Sequence, residues 1–223
     1  CEAVLPGLLL GAAAWHIDPD RRPSGKRTSQ PQFSEPDAKA IDALLAACPE
    51  AAVKLAPAAD LPGDWIGRCE CEWISRAGEC RQQVAWFGSL AQRPGARTAT
   101  RLAADGHTRA TWGPATDLEP CDTCTELGDY LLEPDPAVRA AGLAGSLARG
   151  YSLTAIAPGV AYLTGNSVPD SPLVSAFRVI EVLPLDTRRL KAALRERGIG
   201  RLEIKKRAVR IDPRELLARL SLR

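Results

Sequence analysis

A strand–helix–strand pattern in the first quarter of the sequence constrains the fold most. Ala12-Ala13-Ala14-Trp15-His16-Ile17 is a short apolar run closed by Asp18-Pro19, and Ala51 to Ala56 is a second, closed by Pro57. Neither run alternates, as expected of strands buried on both faces of a parallel sheet. Between them Ile41, Leu44, Leu45 and Cys48 fall at helical spacing, with Pro36 near the start and Pro49 past the end. A βαβ unit this short commits the chain to an α/β sheet.

The next segments extend that sheet. From Cys69 to Ser75 the sequence alternates, with Cys69, Cys71 and Trp73 on one face and Arg68, Glu70 and Glu72 on the other. Arg76-Ala77-Gly78 makes a turn, and Gln82 to Phe87 returns. That hairpin is expected to add antiparallel strands at the sheet edge. Residues 113–128 are rich in Pro, Gly and acidic groups and read as a linker, with a boundary near residue 126. Beyond it come three helix starts and three strands. Asp135-Pro136 and Asp212-Pro213 open helices as N-caps, and Thr187 to Arg197 is amphipathic, with Leu190 and Leu194 inward and Gly198 at its stop. The strand candidates are Tyr162-Leu163, Phe177 to Leu183 and Leu202 to Lys206.

At 45% hydrophobic and 25% charged residues the 223-residue chain is ordinary globular composition, which excludes disorder and collagen-like folds. Leu8 to Ala14 looks like the core of a signal peptide. However, Glu2 stands where a basic residue belongs, Pro6-Gly7 interrupts the run, and the run is too short to span a bilayer. With no Met and Cys at position 1, the chain reads as a cytoplasmic fragment of a longer protein. The net charge of +2 hides an asymmetry: residues 176–223 carry 14 Lys and Arg against 6 Asp and Glu, and the rest carries 15 against 21. A basic C-terminal quarter points toward an anionic partner.

Four patterns bear on chemistry. Asp18-Pro19-Asp20-Arg21-Arg22 follows a strand and is followed by Pro23, Ser24 and Gly25, which no helix would use, so Asp18 is not a helix cap. The carboxyl ends of parallel strands line the ligand crevice of an open α/β sheet. A carboxylate fixed there by Pro19, beside the guanidinium groups of Arg21 and Arg22, suits a substrate amine and a phosphate together; the alternative is a polar turn. The seven cysteines are odd in number, which argues against a disulfide framework. Cys69, Cys71, Cys121 and Cys124 form a nominal zinc set, but Cys69 and Cys71 fit an inward strand face and the second pair lacks a knuckle glycine, so no metal is expected. His16 and His107 have no nucleophile pattern around them, and Gly198-Ile199-Gly200 runs from helix into strand, the wrong direction for a phosphate loop. Arg201, Lys205, Lys206, Arg207 and Arg210 form a basic cluster behind a helix carrying Arg188, Arg189, Arg195 and Arg197. Such a cluster tracks nucleic-acid phosphates or guards an edge strand.

Several blocks carry a family resemblance. Leu131-Leu132-Glu133-Pro134-Asp135-Pro136-Ala137-Val138-Arg139-Ala140-Ala141-Gly142-Leu143, Val160-Ala161-Tyr162-Leu163-Thr164, Phe177 to Pro184 and Arg195 to Arg207 resemble the C-terminal THUMP-like domain of bacterial class I S-adenosylmethionine-dependent methyltransferases. Ile17 to Arg22, Val53-Lys54-Leu55-Ala56-Pro57, Glu72 to Ser75 and Ala85 to Gly88 are similar to the methyltransferase half of the same proteins.

The resemblance implies a partial Rossmann-like methyltransferase sheet with an antiparallel edge hairpin over residues 1–112, a linker at 113–125, and a smaller α+β THUMP-like domain over 126–223. It implies S-adenosyl-L-methionine as cofactor, held by strands upstream of Cys1, and RNA as partner. Asp18 carries over as the substrate-side acid, with Pro19, Arg21 and Arg22 beside it. The aromatic that stacks on a base in many relatives is replaced here by Asp20, Arg21 and Arg22. The competing expectation is a non-catalytic RNA-binding or interaction module with a vestigial methyltransferase half.

Overall fold

The computed structural model describes residues 6–23, 25–116, 118–207 and 209–221. The two apolar runs are strands β1 (Trp15–Ile17) and β2 (Ala51–Leu55), paired in parallel with Ile17 opposite Val53. Helix α1 (Ala38–Ala47) connects them. The Asp37 side chain caps it by accepting from the Ala40 N–H at 2.9 Å, and the helix buries Ile41, Leu44 and Leu45. The βαβ unit thus forms as expected. Strand β1 differs in burial: His16 is exposed and Trp15 and Ile17 are only half-buried, because among the described residues β2 is its one neighbour.

The hairpin forms from β3 (Glu70–Arg76) and β4 (Glu79–Trp86), with Ala77 and Gly78 both at positive φ in the turn. Two central residues in the left-handed region match the twist of the flanking strands. Its place corrects the expectation of an edge hairpin. β4 pairs antiparallel with β2, and β3 goes on to pair in parallel with β5 (Arg97–Leu102), which pairs antiparallel with β6 (Thr108–Ala115). The sheet order is β1-β2-β4-β3-β5-β6, so the hairpin is central. Strands β5 and β6 are rich in Thr and Arg, and the β-propensity of Thr rather than an apolar pattern favours the strand. β6 also runs through Ala115, into the stretch read as linker.

A second sheet follows, ordered β10-β7-β9-β8. Its strands are β7 (Tyr130–Pro134), β8 (Thr154–Ala155), β9 (Leu163–Gly165) and β10 (Val174–Arg178). Helices α2 (Pro136–Ala140) and α3 (Ala144–Gly150) lie between β7 and β8 in sequence, and Asp135 caps α2 through the Ala137 N–H at 2.8 Å. Helix α2 packs onto β3, β4 and β5 of the first sheet. Leu132, Val138, Leu143 and Leu147 therefore share one core with Ile41, Val53, Trp65, Ala85 and Ala99.

The C-terminal segment holds α4 (Thr187–Glu196), capped by Asp186, and α5 (Pro213–Leu220), capped by Asp212. The helices pack on each other, with Leu190 and Leu194 of α4 half-buried. The strand expected over Phe177 to Leu183 ends at Arg178, where its partner β7 begins at Tyr130. Leu202 to Lys206 has no strand partner and forms no strand. Among the described residues no helix is long and apolar enough to cross a membrane.

Candidate functional site

Because β1 and β2 run parallel, their carboxyl ends lie side by side, the geometry that makes a crevice in an α/β sheet. Asp18 follows β1 directly, and its Oδ2 is ion-paired with the Lys54 ammonium of β2. The Asp18 side chain is 50% exposed and that of Lys54 31%, so the pair faces solvent at the carboxyl ends of the two strands. Pro19 is buried behind it. The rest of the segment is a closed turn. Asp20 exchanges backbone hydrogen bonds with Glu35 at 2.8 and 2.9 Å, its Oδ1 accepts from the Arg22 N–H at 2.9 Å, and the Arg21 carbonyl accepts from Thr28 at 2.8 Å. Arg22 is exposed and Arg21 half-buried. Asp20 thus builds the turn, and Asp18 instead pairs with Lys54 of the adjacent strand. Lys54 was not singled out from sequence. Its signals are its place in the Val53-to-Pro57 family block and being the sole charged residue in an apolar strand.

The basic cluster does not form a single surface. Glu133, at the end of β7 and only 15% exposed, gathers three cations. Lys205 reaches its Oε2 at 2.9 Å, Arg207 its Oε1 at 3.0 Å, and Arg139 its Oε1 at 3.6 Å. Lys205 also lies over the Phe177 ring and Arg207 over Tyr162, each 5.3 Å from the centroid. The Glu133 carboxylate, and after it Glu203, holds the Lys205 ammonium above its ordinary range. Lys206 points elsewhere and donates to the Ile211 carbonyl at 2.8 Å. The alternation of an extended chain survives here without a ladder: 205 and 207 face one way and 206 the other. Arg201 and Arg210 are exposed. Arg188, Lys191 and Arg195 stand at i, i+3 and i+7 on α4, one stripe of the helix. Among the described residues the stripe has no carboxylate partner.

The nominal zinc cysteines are split. Cys69 and Cys71 lie buried together with sulfurs 3.8 Å apart, whereas Cys124 is in a loop whose N–H donates to Ala155. Among the described residues no glycine-rich turn leads from a strand into a helix. They therefore do not by themselves form a glycine-rich cradle for a nucleotide-like cofactor.

The family model described as "THUMP domain-like" matches residues 174–223, a narrower span than the one read from sequence. Two Mycobacterium tuberculosis proteins, from strains CDC 1551 and H37Rv, are each named an uncharacterized S-adenosylmethionine-dependent methyltransferase. Each is 33% identical over 213 residues, covering 93% of this chain and 56% of the relative. The chain thus spans a little over half the length of these relatives. A crystal structure of a methyltransferase candidate from Porphyromonas gingivalis W83 superposes with a TM-score of 0.74 at 21% identity, covering 93% of this chain and 52% of that one. Its likeness bears on the fold alone. The chain is a homologue, over nearly its whole length, of proteins named S-adenosylmethionine-dependent methyltransferases, and its last segment is THUMP domain-like.

Proposed function

We propose that this chain is the acceptor-side part of an S-adenosylmethionine-dependent methyltransferase that modifies RNA in the cytoplasm. One observation carries the reading: a half-exposed carboxylate, Asp18, stands at the carboxyl end of β1, held by Lys54 of the adjacent parallel strand. A carboxylate in that place would accept a hydrogen bond from an amino or ring N–H of the acceptor and hold the proton that leaves it. Lys54 pairs with it and fixes its direction, and buried Pro19 fixes the backbone beneath it. Arg21 and Arg22 lie beside it to meet an acceptor phosphate. The relatives' names support S-adenosyl-L-methionine as methyl donor.

RNA as acceptor is supported by the basic C-terminal segment and its THUMP-like match. In this reading Arg201, Lys206 and Arg210, with Arg188, Lys191 and Arg195 of α4, meet phosphates. Lys205 and Arg207 hold the segment to Glu133. The test is transfer of labelled methyl from S-adenosylmethionine to total RNA by the full-length protein. Label in the RNA supports the proposal. No label, with RNA still bound, returns the chain to a non-catalytic binding module.

A further inference from the structure

A pocket of about 430 Å³ opens between the loop that follows β2 and the face of the first sheet, with Ala140 of α2 in its lining. That volume lies in the range of roughly 300–1,000 Å³ in which proteins hold small organic ligands. Trp73 and Gln83 line it from the sheet, and Leu61 and Ile66 from the loop. With its amide turned to satisfy both, Gln83 donates to the carbonyls of Ala56 and Ala59 at 3.3 Å, which ties the loop to the sheet. Neither Asp18 nor Lys54 belongs to this lining.

Arg97 of β5 gives the pocket its chemistry. Its guanidinium lies 5.3 Å from the centre of the Trp73 ring, and its Nη1 donates to the Ala141 carbonyl at 3.1 Å. These two contacts hold the guanidinium in place but use only one of its nitrogens. Among the described residues its Nε and Nη2 have no partner, and no carboxylate stands within ion-pair distance of it. A clamp between β5 and α2 needs Nη1 alone. A half-buried cation without a counter-ion is unfavourable, because nothing repays its lost hydration. Arg101, on the same strand, has its counter-ion in Asp135, whereas Arg97 has a pocket.

The rest of the lining selects among anions. Nε and Nη2 form a planar two-donor fork, which matches the two oxygens of a carboxylate. Asp60 is the lining's one carboxylate among the described residues, and its Oδ2 accepts from Gln30 Nε2 at 2.9 Å. One cation with one carboxylate nearby suits a ligand with a single negative charge and disfavours a second. Leu61 and the exposed Ile66 supply apolar wall. Gly67 and Gly95, both at positive φ, meet as bare backbone, and a Cβ on Gly95 would stand 3.6 Å from the Gly67 Cα. That stretch of wall without side chains suits a planar body.

We propose that this pocket binds a small organic carboxylate with a planar apolar body, its carboxylate on the Nε and Nη2 edge of Arg97. Binding is reversible, with no covalent bond made and no electron moved. The site stands apart from the methyl-transfer reading, and neither depends on the other.

The test is isothermal titration of the 223-residue chain with 2-naphthoate, and with 2-naphthamide as its uncharged match. Naphthoate should bind saturably at one site, and naphthamide about tenfold more weakly or worse, the scale of one charge-assisted pair. Arg97→Gln should bring naphthoate down to the level of naphthamide. Ile66→Asp, at an exposed position, should weaken naphthoate by a similar factor through charge repulsion. Inorganic phosphate at the same concentration should not displace naphthoate. Equal binding of the two naphthalenes, or no saturable binding, overturns the proposal. So does displacement by phosphate, because the site then reads charge alone. If Arg97→Gln loses the circular dichroism of the folded chain, Ile66→Asp decides, and wild-type naphthoate affinity in that variant overturns the proposal.

Discussion

Asp18 and Glu133 are both carboxylates that a sequence reader sees, and their roles differ because of partners far along the chain. Asp18 meets Lys54, 36 residues on, and Glu133 meets Lys205, 72 residues on. Charge type and local motif were legible for Asp18, Arg21, Arg22 and the basic cluster. Which of the cations are neutralised was not, because neutralisation is settled by packing across the fold. The Glu133 clasp makes a prediction of its own. Glu133→Gln leaves Lys205, Arg207 and Arg139 without their shared charge, and should cost about 2 kcal/mol, on the scale of hydrogen bonds between charged groups. Urea unfolding followed by circular dichroism measures it, and a midpoint unchanged from wild type would mean that the clasp holds nothing. The pH dependence has a definite sign. The Lys205 value is raised in the folded state, so its contribution is fully present below about pH 10 and is lost as pH rises through the folded value. Stability from this group should be flat from pH 7 to 9 and fall only in strong alkali.

Helix starts were the most legible elements, because capping is local. Asp37, Asp135, Asp186 and Asp212 each accept from backbone N–H groups at the start of their helix. They are not equal in worth. Asp135 is 6% exposed and also stands 3.8 Å from Arg101 of β5, whereas Asp212 caps an outer helix. Asp135→Ala should cost about 2 kcal/mol and Asp212→Ala about 0.5–1, the upper and lower parts of the capping range. Equal shifts in the urea midpoints would remove the distinction. Strands were less legible. β5 and β6 escaped notice because Thr and Arg do not mark burial. Leu202 to Lys206 alternates like a strand, but a strand also needs a neighbour with free N–H and C=O groups, and among the described residues none pairs with that segment.

At the scale of the whole chain, the α/β class and the parallel start were visible in the sequence, and the seam between the two sheets was not. Helix α2 lies against the first sheet while β7, the strand before it, belongs to the second, so one core crosses the place where composition suggested a linker. The basic surface belongs to this scale too. Cations already bound to carboxylates release few counterions when a nucleic acid arrives. Replacing Arg188, Lys191 and Arg195 by Ala should therefore flatten the log–log salt dependence of RNA binding by about two units, at roughly 0.7–0.9 per phosphate. Replacing Lys205 and Arg207 should leave the slope nearly unchanged. If the second pair flattens the slope and the first set does not, Glu133 releases its cations to RNA and the surface lies at the clasp.

The placement of Asp18 is the central claim, and single-turnover methyl transfer by the full-length protein tests it most directly. Asp18→Asn keeps the shape of the side chain and removes its charge. It should slow transfer by about 10²–10⁴-fold, the range for loss of a positioned general base, while unfolding as the wild type does. Lys54→Gln should slow transfer by about tenfold, since it removes the ion pair that directs the carboxylate but leaves the carboxylate in place. Transfer by Asp18→Asn at the wild-type rate would contradict the account and leave Asp18 a turn residue at the end of β1.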